Sequence, residues 1–374
     1  MTAIFPPTLR APLLALACSS LMLVGCGHAP EMIGIDNPDV PAASVAGATA
    51  HRLFITTTRQ RSARPGALYS SARAHSLGLA SVVVSVPPDH VPGRDSRSRS
   101  LPPDPRHDLA IVEPEVFADD GSFIAAINRE LALRPPEDRD LLLFVHGYNM
   151  TLSDAVARMG QFVHDSGFRG IPVLFSWASG ARLSDYVYDM NSALAARPLL
   201  QQASAILTRT DAKGFDLFAH SMGSLLVADT MVQADLQGRL GESGRLNNIM
   251  LAAPDIDMDL FRSQLLQIRN NPGNVYVLLS HDDVALSVSR RLSGGIERVG
   301  AAQDEELAGL GLTVIDLSEV QERDTLSHNK YARSPDVVKL IGESLRQQTY
   351  HSEPGPPAIF TALAGIPGLQ ALGE

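Results

Sequence analysis

Ser221 lies in Ala219-His220-Ser221-Met222-Gly223, between an apolar run over residues 215–218 and a longer one over residues 222–232. A serine hydroxyl is a poor nucleophile at neutral pH. Chemistry there needs a histidine to take the proton and a carboxylate to orient that histidine. A turn that lifts a hydroxyl above a sheet edge also needs small residues two before and two after it, and Ala219 and Gly223 are small. A-x-S-x-G alone is weak, because an ordinary strand-to-helix turn reproduces it. The partners decide. His328, in DTLSHNKYARSP, is the candidate base, and Ser280-His281-Asp282-Asp283 offers the candidate acid Asp283, preferred to Asp282. Asp255 and Asp257, in APDID, are alternatives as acid or as caps of a following helix. His220 is set aside as base, since an elbow sends the side chains beside the nucleophile away from it. His164, on a helix near its apolar face, reads as packing.

Each of these residues must be carried by an element. Residues 52–58 and 81–86 are rich in β-branched side chains and read as early strands, the second stopped by Pro87-Pro88. Helical spacing follows over residues 121–133. The apolar run 141–145 then delivers His146-Gly147-Tyr148-Asn149, and a helix begins with Thr151 or Ser153 as its cap. Further strands read at 171–177, 214–220, 248–253, 275–280 and 312–317, with helices at 258–268 and from Pro335. A helical pattern over 185–208 contains Pro198, so a kink or two helices are expected there. Strands alternating with helices predict a mostly parallel twisted sheet with helices on both faces, the α/β class. Every candidate site residue then falls at the C-terminal end of a strand, and the order Ser221, Asp283, His328 is that of an α/β-hydrolase fold. Some members of that fold place the acid one strand earlier, which keeps Asp255 open. In this frame Gly147 lets its loop pass close to the elbow, with His146 supporting it. Backbone N–H groups of Tyr148 and Met222 would form an oxyanion hole. Tyr148 and Trp177 would line an acyl pocket or serve as packing.

The 374-residue chain is 45% hydrophobic, ample for a large core, and its formal charge of −10 without a basic-aromatic patch argues against nucleic acid. Arg94, Arg97, Arg99 and Arg106 are scattered through a stretch rich in Ser and Pro, which reads as a solvated loop rather than an anion site. The reading requires no cofactor and no metal. Arg10 and the apolar run 11–24 read as an export signal over residues 1–25, too short for a comfortable membrane span. The run ends in Leu23-Val24-Gly25-Cys26, which resembles a bacterial lipobox. The expectation is lipidation of Cys26, in preference to Cys18, and a place in the bacterial cell envelope as an outer-membrane lipoprotein. With only two cysteines, the fold is expected to do without disulfides. Residues 26–49, rich in Pro, Ala and Gly, read as a flexible tether reaching roughly 25–30 Å. The catalytic domain is expected over 50–348, with a C-terminal tail over 349–374.

The motifs resemble those of the bacterial α/β-hydrolase family of unknown function DUF900. The resemblance rests on His146-Gly147-Tyr148-Asn149, Phe175-Ser176-Trp177, Ala219-His220-Ser221-Met222-Gly223, APDID, the stretch from Ser280 to Leu286, the His328 loop and SVVVSVPPDHVPG. It covers roughly residues 50–347, supports Asp283 as the acid, and implies no substrate. The expected function is that of an esterase-like serine hydrolase acting on a small or medium acyl substrate, with membrane contact through the N-terminal lipid. A membrane phospholipase or acyltransferase, or a binding module without turnover, are the alternatives.

Overall fold

The computed structural model describes residues 29–270, 274–307, 310–321, 326–346 and 370–372. The expected export signal over 1–25, Cys26 and most of the expected tail lie outside the described residues. The chain builds one ten-stranded sheet. Its strands are β1 (Thr49–Arg61), β2 (Tyr69–Val86), β3 (Ala110–Val116), β4 (Leu141–Val145), β5 (Ile171–Ser176), β6 (Phe215–His220), β7 (Leu246–Ala252), β8 (Asn274–Leu279), β9 (Thr313–Asp316) and β10 (Gln370–Leu372). They lie in the order β10-β9-β8-β7-β6-β4-β5-β1-β2-β3. The run from β1 through β5, β4, β6, β7 and β8 to β9 is parallel. Strands β2, β3 and β10 pair antiparallel.

Central strands in such a sheet are buried on both faces and so read as continuous apolar runs. Strand β4 is LLLFV, with every residue buried. Side chains alternate between two cores. Along β6, Phe215 and Ala219 face one core while Phe218 joins the other. The first core takes α1 (Asp120–Ala132), α3 (Tyr186–Leu207), α4 (Met222–Leu236) and α5 (Met258–Gln267). The second takes α2 (Leu152–Ser166) and α9 (Pro335–Arg346). Three shorter helices, α6 (Val284–Leu292), α7 (Asp304–Leu307) and α8 (Lys330–Arg333), fill the loops after β8 and β9.

Thr151, not Ser153, caps α2, and it does so reciprocally with Asp154 in a capping box. The Ser153 hydroxyl instead accepts from Met32 N–H at 3.0 Å. The flexible tether expected over 26–49 is not what residues 29–48 form: Met32 and Ile33 are buried in the second core, with Ile33 N–H on Gly66 O at 2.9 Å. Two apolar side chains are too few to give a period in a Pro/Ala/Gly stretch, yet enough to fix it by packing. Three other elements also differ from expectation. Helix α3 passes through Pro198 as one helix, so of the kink or two helices expected there the pair is not what forms. Strand β3, unread because it contains Pro114, is a sheet edge, where a missing N–H is tolerated. Arg97 leaves the solvated loop, its side chain only 8% exposed against Asp154.

Candidate active site

Ser221 stands between β6 and α4 with φ 53° and ψ −125°, a conformation that non-glycine residues adopt only when the surroundings hold them there. The surroundings are tight. A Cβ on Gly223 would lie 2.5 Å from His146 O and 2.7 Å from Val145 O, so α4 can leave the sheet beside β4 only with glycine there. A Cβ on Gly147 would meet His220 Nδ1 at 2.9 Å and Ser221 Cβ at 3.0 Å. Ala219 is fully buried, which explains why a small residue without glycine's freedom suffices. The elbow thus fixes Ser221 at the floor of a cavity of about 540 Å³ that Tyr148, His220, Asp255 and His328 also line.

The structure brings His328 and Asp283 together, His328 Nδ1 lying 2.6 Å from Asp283 Oδ2. A carboxylate only accepts, so the proton sits on Nδ1 and Nε2 is the nitrogen left to take another. Asp283 is fully buried and uses Oδ1 to accept from Leu286 N–H at 2.9 Å, capping α6. Burial pulls the His328 pKa down, but the charge of Asp283 and its hydrogen bond outweigh it and raise the imidazole above its ordinary value. No hydrogen bond joins Ser221 Oγ to His328 among the described residues, and catalytic hydrogen bonds in ligand-free sites are often long or unformed.

The other carboxylates are engaged elsewhere. Asp282 receives Lys330 Nζ at 2.8 Å, Ser327 Oγ at 2.8 Å and Ser280 Oγ at 2.5 Å. Burial opposes its ionisation, and these donors together still hold it below the usual carboxylate range. Asp255 lies between Ser289 Oγ at 2.5 Å, Tyr186 Oη at 3.0 Å and Arg298 Nε at 3.3 Å. Asp257 caps α5 through the N–H groups of Asp259 and Leu260.

His146 does not enter the cavity. It is fully buried, with Nδ1 2.8 Å from Gly147 O and Nε2 3.1 Å from Ser176 Oγ, its ring stacked on Trp177 at 4.9 Å. Burial, aided by Arg59, pushes its pKa down to about 3, so it stays neutral. Trp177 is fully buried and donates Nε1–H to His146 O at 2.8 Å, so it is packing beneath the loop, while Tyr148 lines the cavity. Neither Tyr148 N–H nor Met222 N–H finds an acceptor among the described residues.

Three contributors escape a reading by motif. His220, set aside as base in the sequence, donates its Nε2–H to His328 O at 3.2 Å and its ring lies 4.7 Å from that of His328, so it props the loop that carries His328. Arg59, 2% exposed, donates to Met150 O at 2.8 Å and Ser176 Oγ at 2.9 Å. Asp189 accepts from Asn149 N–H at 3.1 Å, Ser179 Oγ at 2.5 Å and Gly180 N–H at 2.5 Å. Together Arg59 and Asp189 tie down the loop after β4 from both sides. His51 and His164 meet each other at 3.2 Å outside the cavity. Among the described residues no cluster of three or more His, Cys, Asp or Glu could hold a metal ion. No helix among them is long and apolar enough to cross a membrane.

A mostly parallel sheet with helices on both faces and a serine on a positive-φ turn after a central strand defines an α/β-hydrolase fold. The family model of DUF900, alpha/beta hydrolase of unknown function, matches residues 121–344, more than half of the chain, and the chain belongs to that family. No curated protein matches it. Among solved structures it is similar to an esterase from Pyrobaculum calidifontis (13% identical, TM-score 0.37, covering 92% of this chain and 98% of that one). It is likewise similar to an esterase from the fungus Rhizomucor miehei (10% identical, TM-score 0.38, covering 90% and 97%). Esterase B from Lactobacillus rhamnosis is a third (9% identical, TM-score 0.39, covering 91% and 96%).

Proposed function

We propose that the protein is a serine hydrolase that cleaves an ester or related acyl bond through Ser221, His328 and Asp283. The observation that carries this is the 2.6 Å bond from His328 to Asp283 in a wall of the cavity onto which Ser221 opens. Ser221 Oγ attacks the acyl carbon and its proton passes to His328 Nε2. The carbonyl pair moves onto oxygen, where the N–H groups of Tyr148 and Met222 receive the charge. Collapse expels the alcohol, which takes the proton from His328. Water then attacks the acyl-enzyme, gives its proton to His328, and a second collapse releases the acid and restores Ser221. Each hole donor contributes on the order of 3 kcal/mol to lowering the barrier. A chain-length series of p-nitrophenyl esters tests the reading: turnover by the wild type and none by Ser221→Ala supports it, while equal turnover by both rejects it.

Lipidation of Cys26 remains part of this proposal. Because Arg97 Nη2 donates to Ala29 O at 3.3 Å and Pro30 O at 3.0 Å and Met32 is buried, the fixed domain begins three residues after Cys26, a span of roughly 10 Å at full extension, which would hold the domain against a bilayer. Cys26→Ser should move the protein from the membrane to the soluble fraction. Unchanged partitioning would reject the anchor.

A further inference from the structure

The cavity above Ser221 has two unlike walls. One side is apolar. Leu183, Tyr186, Val284, Val288, Leu292 and Leu326 line it, and α3 is tied to α6 there by Tyr186 Oη and Ser289 Oγ at 2.8 Å. The exposed stripe Val284, Val288 and Leu292 recurs every fourth residue, so it forms one face of α6.

The other side, built from α2, α8 and the connection between β2 and β3, carries three guanidinium groups, those of Arg97, Arg158 and Arg333. Two of them have carboxylates: Arg97 pairs with Asp154, and Arg333 lies 3.5 Å from Asp95. Arg158 has none among the described residues. Its Nη1 donates to the neutral Asn329 Oδ1 at 2.7 Å, the residue next to the base His328. Arg97 also keeps an unused donor, since its buried Nε–H has no acceptor. Burial lowers the Arg97 pKa to about 10, and the charge of Arg158 pushes the same way, so the two cations repel across this wall. Asp154, Asp95 and Glu31 act on Arg97 or Arg333, and none of them pairs with Arg158, so a half-buried cation beside a second one is a place where an incoming anion relieves repulsion and gains charge-assisted hydrogen bonds.

We propose that the substrate is an ester bearing an anionic group, a carboxylate or a phosphate, that sits at Arg158 while the apolar part of the same molecule lies along α6. This rests on the reading of Ser221 as nucleophile. Arg158 then sets specificity, and the expected preference for an anionic ester over its neutral counterpart is about tenfold or more, the gain from one hydrogen bond to a charged group.

The test uses two matched pairs of substrates. The carboxylate arm compares the mono-p-nitrophenyl ester of glutaric acid with p-nitrophenyl pentanoate. The phosphate arm compares lysophosphatidic acid with the monoacylglycerol of the same chain, followed by fatty acid release. The expected result is a kcat/KM ratio of anionic to neutral ester of about ten or more in at least one arm, falling as NaCl rises. The arm that shows it names the anion. Arg158→Gln should reduce that ratio about tenfold and Arg158→Lys should restore part of it, a readout that loss of the Asn329 contact alone would not move. A wild-type ratio near one in both arms overturns the proposal, as does an Arg158→Gln protein that loses both activities in proportion. The salt dependence of the wild type keeps the test open should the variant fail to fold. Fluorophosphonate labelling separates the failures: a labelled enzyme without anion preference rejects this inference alone, and an unlabelled, inactive one rejects the nucleophile reading as well.

Discussion

Asp283 divides its two oxygens between two tasks, Oδ1 holding the first turn of α6 and Oδ2 holding His328. The cap fixes the carboxylate, and the carboxylate fixes the imidazole tautomer. Asp283→Asn keeps an oxygen for the cap but presents an amide to Nδ1, so kcat should fall on the order of 10⁴-fold with little change in fold. Asp255→Asn, whose native partners are Ser289, Tyr186 and Arg298, should cost far less. Reversal of that order in ester turnover would reject Asp283 as the acid. His328 must be neutral to act as base, and its pKa is raised, so kcat/KM should climb with pH through a midpoint above 6.5. Asp283→Asn removes the raising charge and should move that midpoint down, which a pH-rate profile of both proteins reads directly. At this scale the candidate residue types were legible, because serine and acid each stand shortly after an apolar run and the histidine stands in the loop beyond the last one. Asp283 was preferred to Asp282 from the sequence, and what stayed hidden was what Asp282 does, which depends on Lys330 of α8.

Among the elements, the loop after β4 and the turn into α4 depend most on single residues. Gly223→Ala would drive a methyl group into two backbone carbonyls that cannot yield without moving β4. It should destabilise by about 1–3 kcal/mol and misplace Ser221, so a denaturant midpoint near wild type would contradict the packing account. The glycines and the small Ala219 were readable from spacing alone. The clamps on the loop were not, since Arg59 reaches Met150 across 91 residues and Asp189 reaches Asn149 across 40. No periodicity reports a bond of that kind. The same reason hid Met32 and Ile33, whose burial depends on surfaces built by β3 and α2. Pro198 allowed a kink or two helices, and the chain builds one helix there, with packing of α3 against α4 and the sheet offsetting the local cost of the proline.

Over the whole molecule, the sheet collects its chemistry at one edge and buries two carboxylates near the other. Asp216, on β6, leaves Oδ2 without a partner, and burial together with nearby Asp140 pushes its pKa up to about 7 despite the hydrogen bond from Asn248. The folded state therefore binds this proton more tightly than the unfolded chain, so the contribution is present at low pH and lost as pH rises from about 4 to about 7. Asp216→Asn should raise Tm more at pH 8 than at pH 5. Equal shifts at both values would show that Asp216 is not the buried acid described. The mostly parallel sheet, its helices on both faces and the chain order of the site were legible because apolar runs and helical periods alternate along the sequence, whereas the order of the ten strands was not read, since it depends on long-range pairing. The proposed chemistry depends above all on Ser221 being the activated nucleophile. Its most direct test is to treat the folded protein with a fluorophosphonate and map the modified peptide by mass spectrometry. The account predicts a single adduct on Ser221, absent in Ser221→Ala and slowed in Asp283→Asn. An unmodified wild type, or an adduct at another residue, would contradict it.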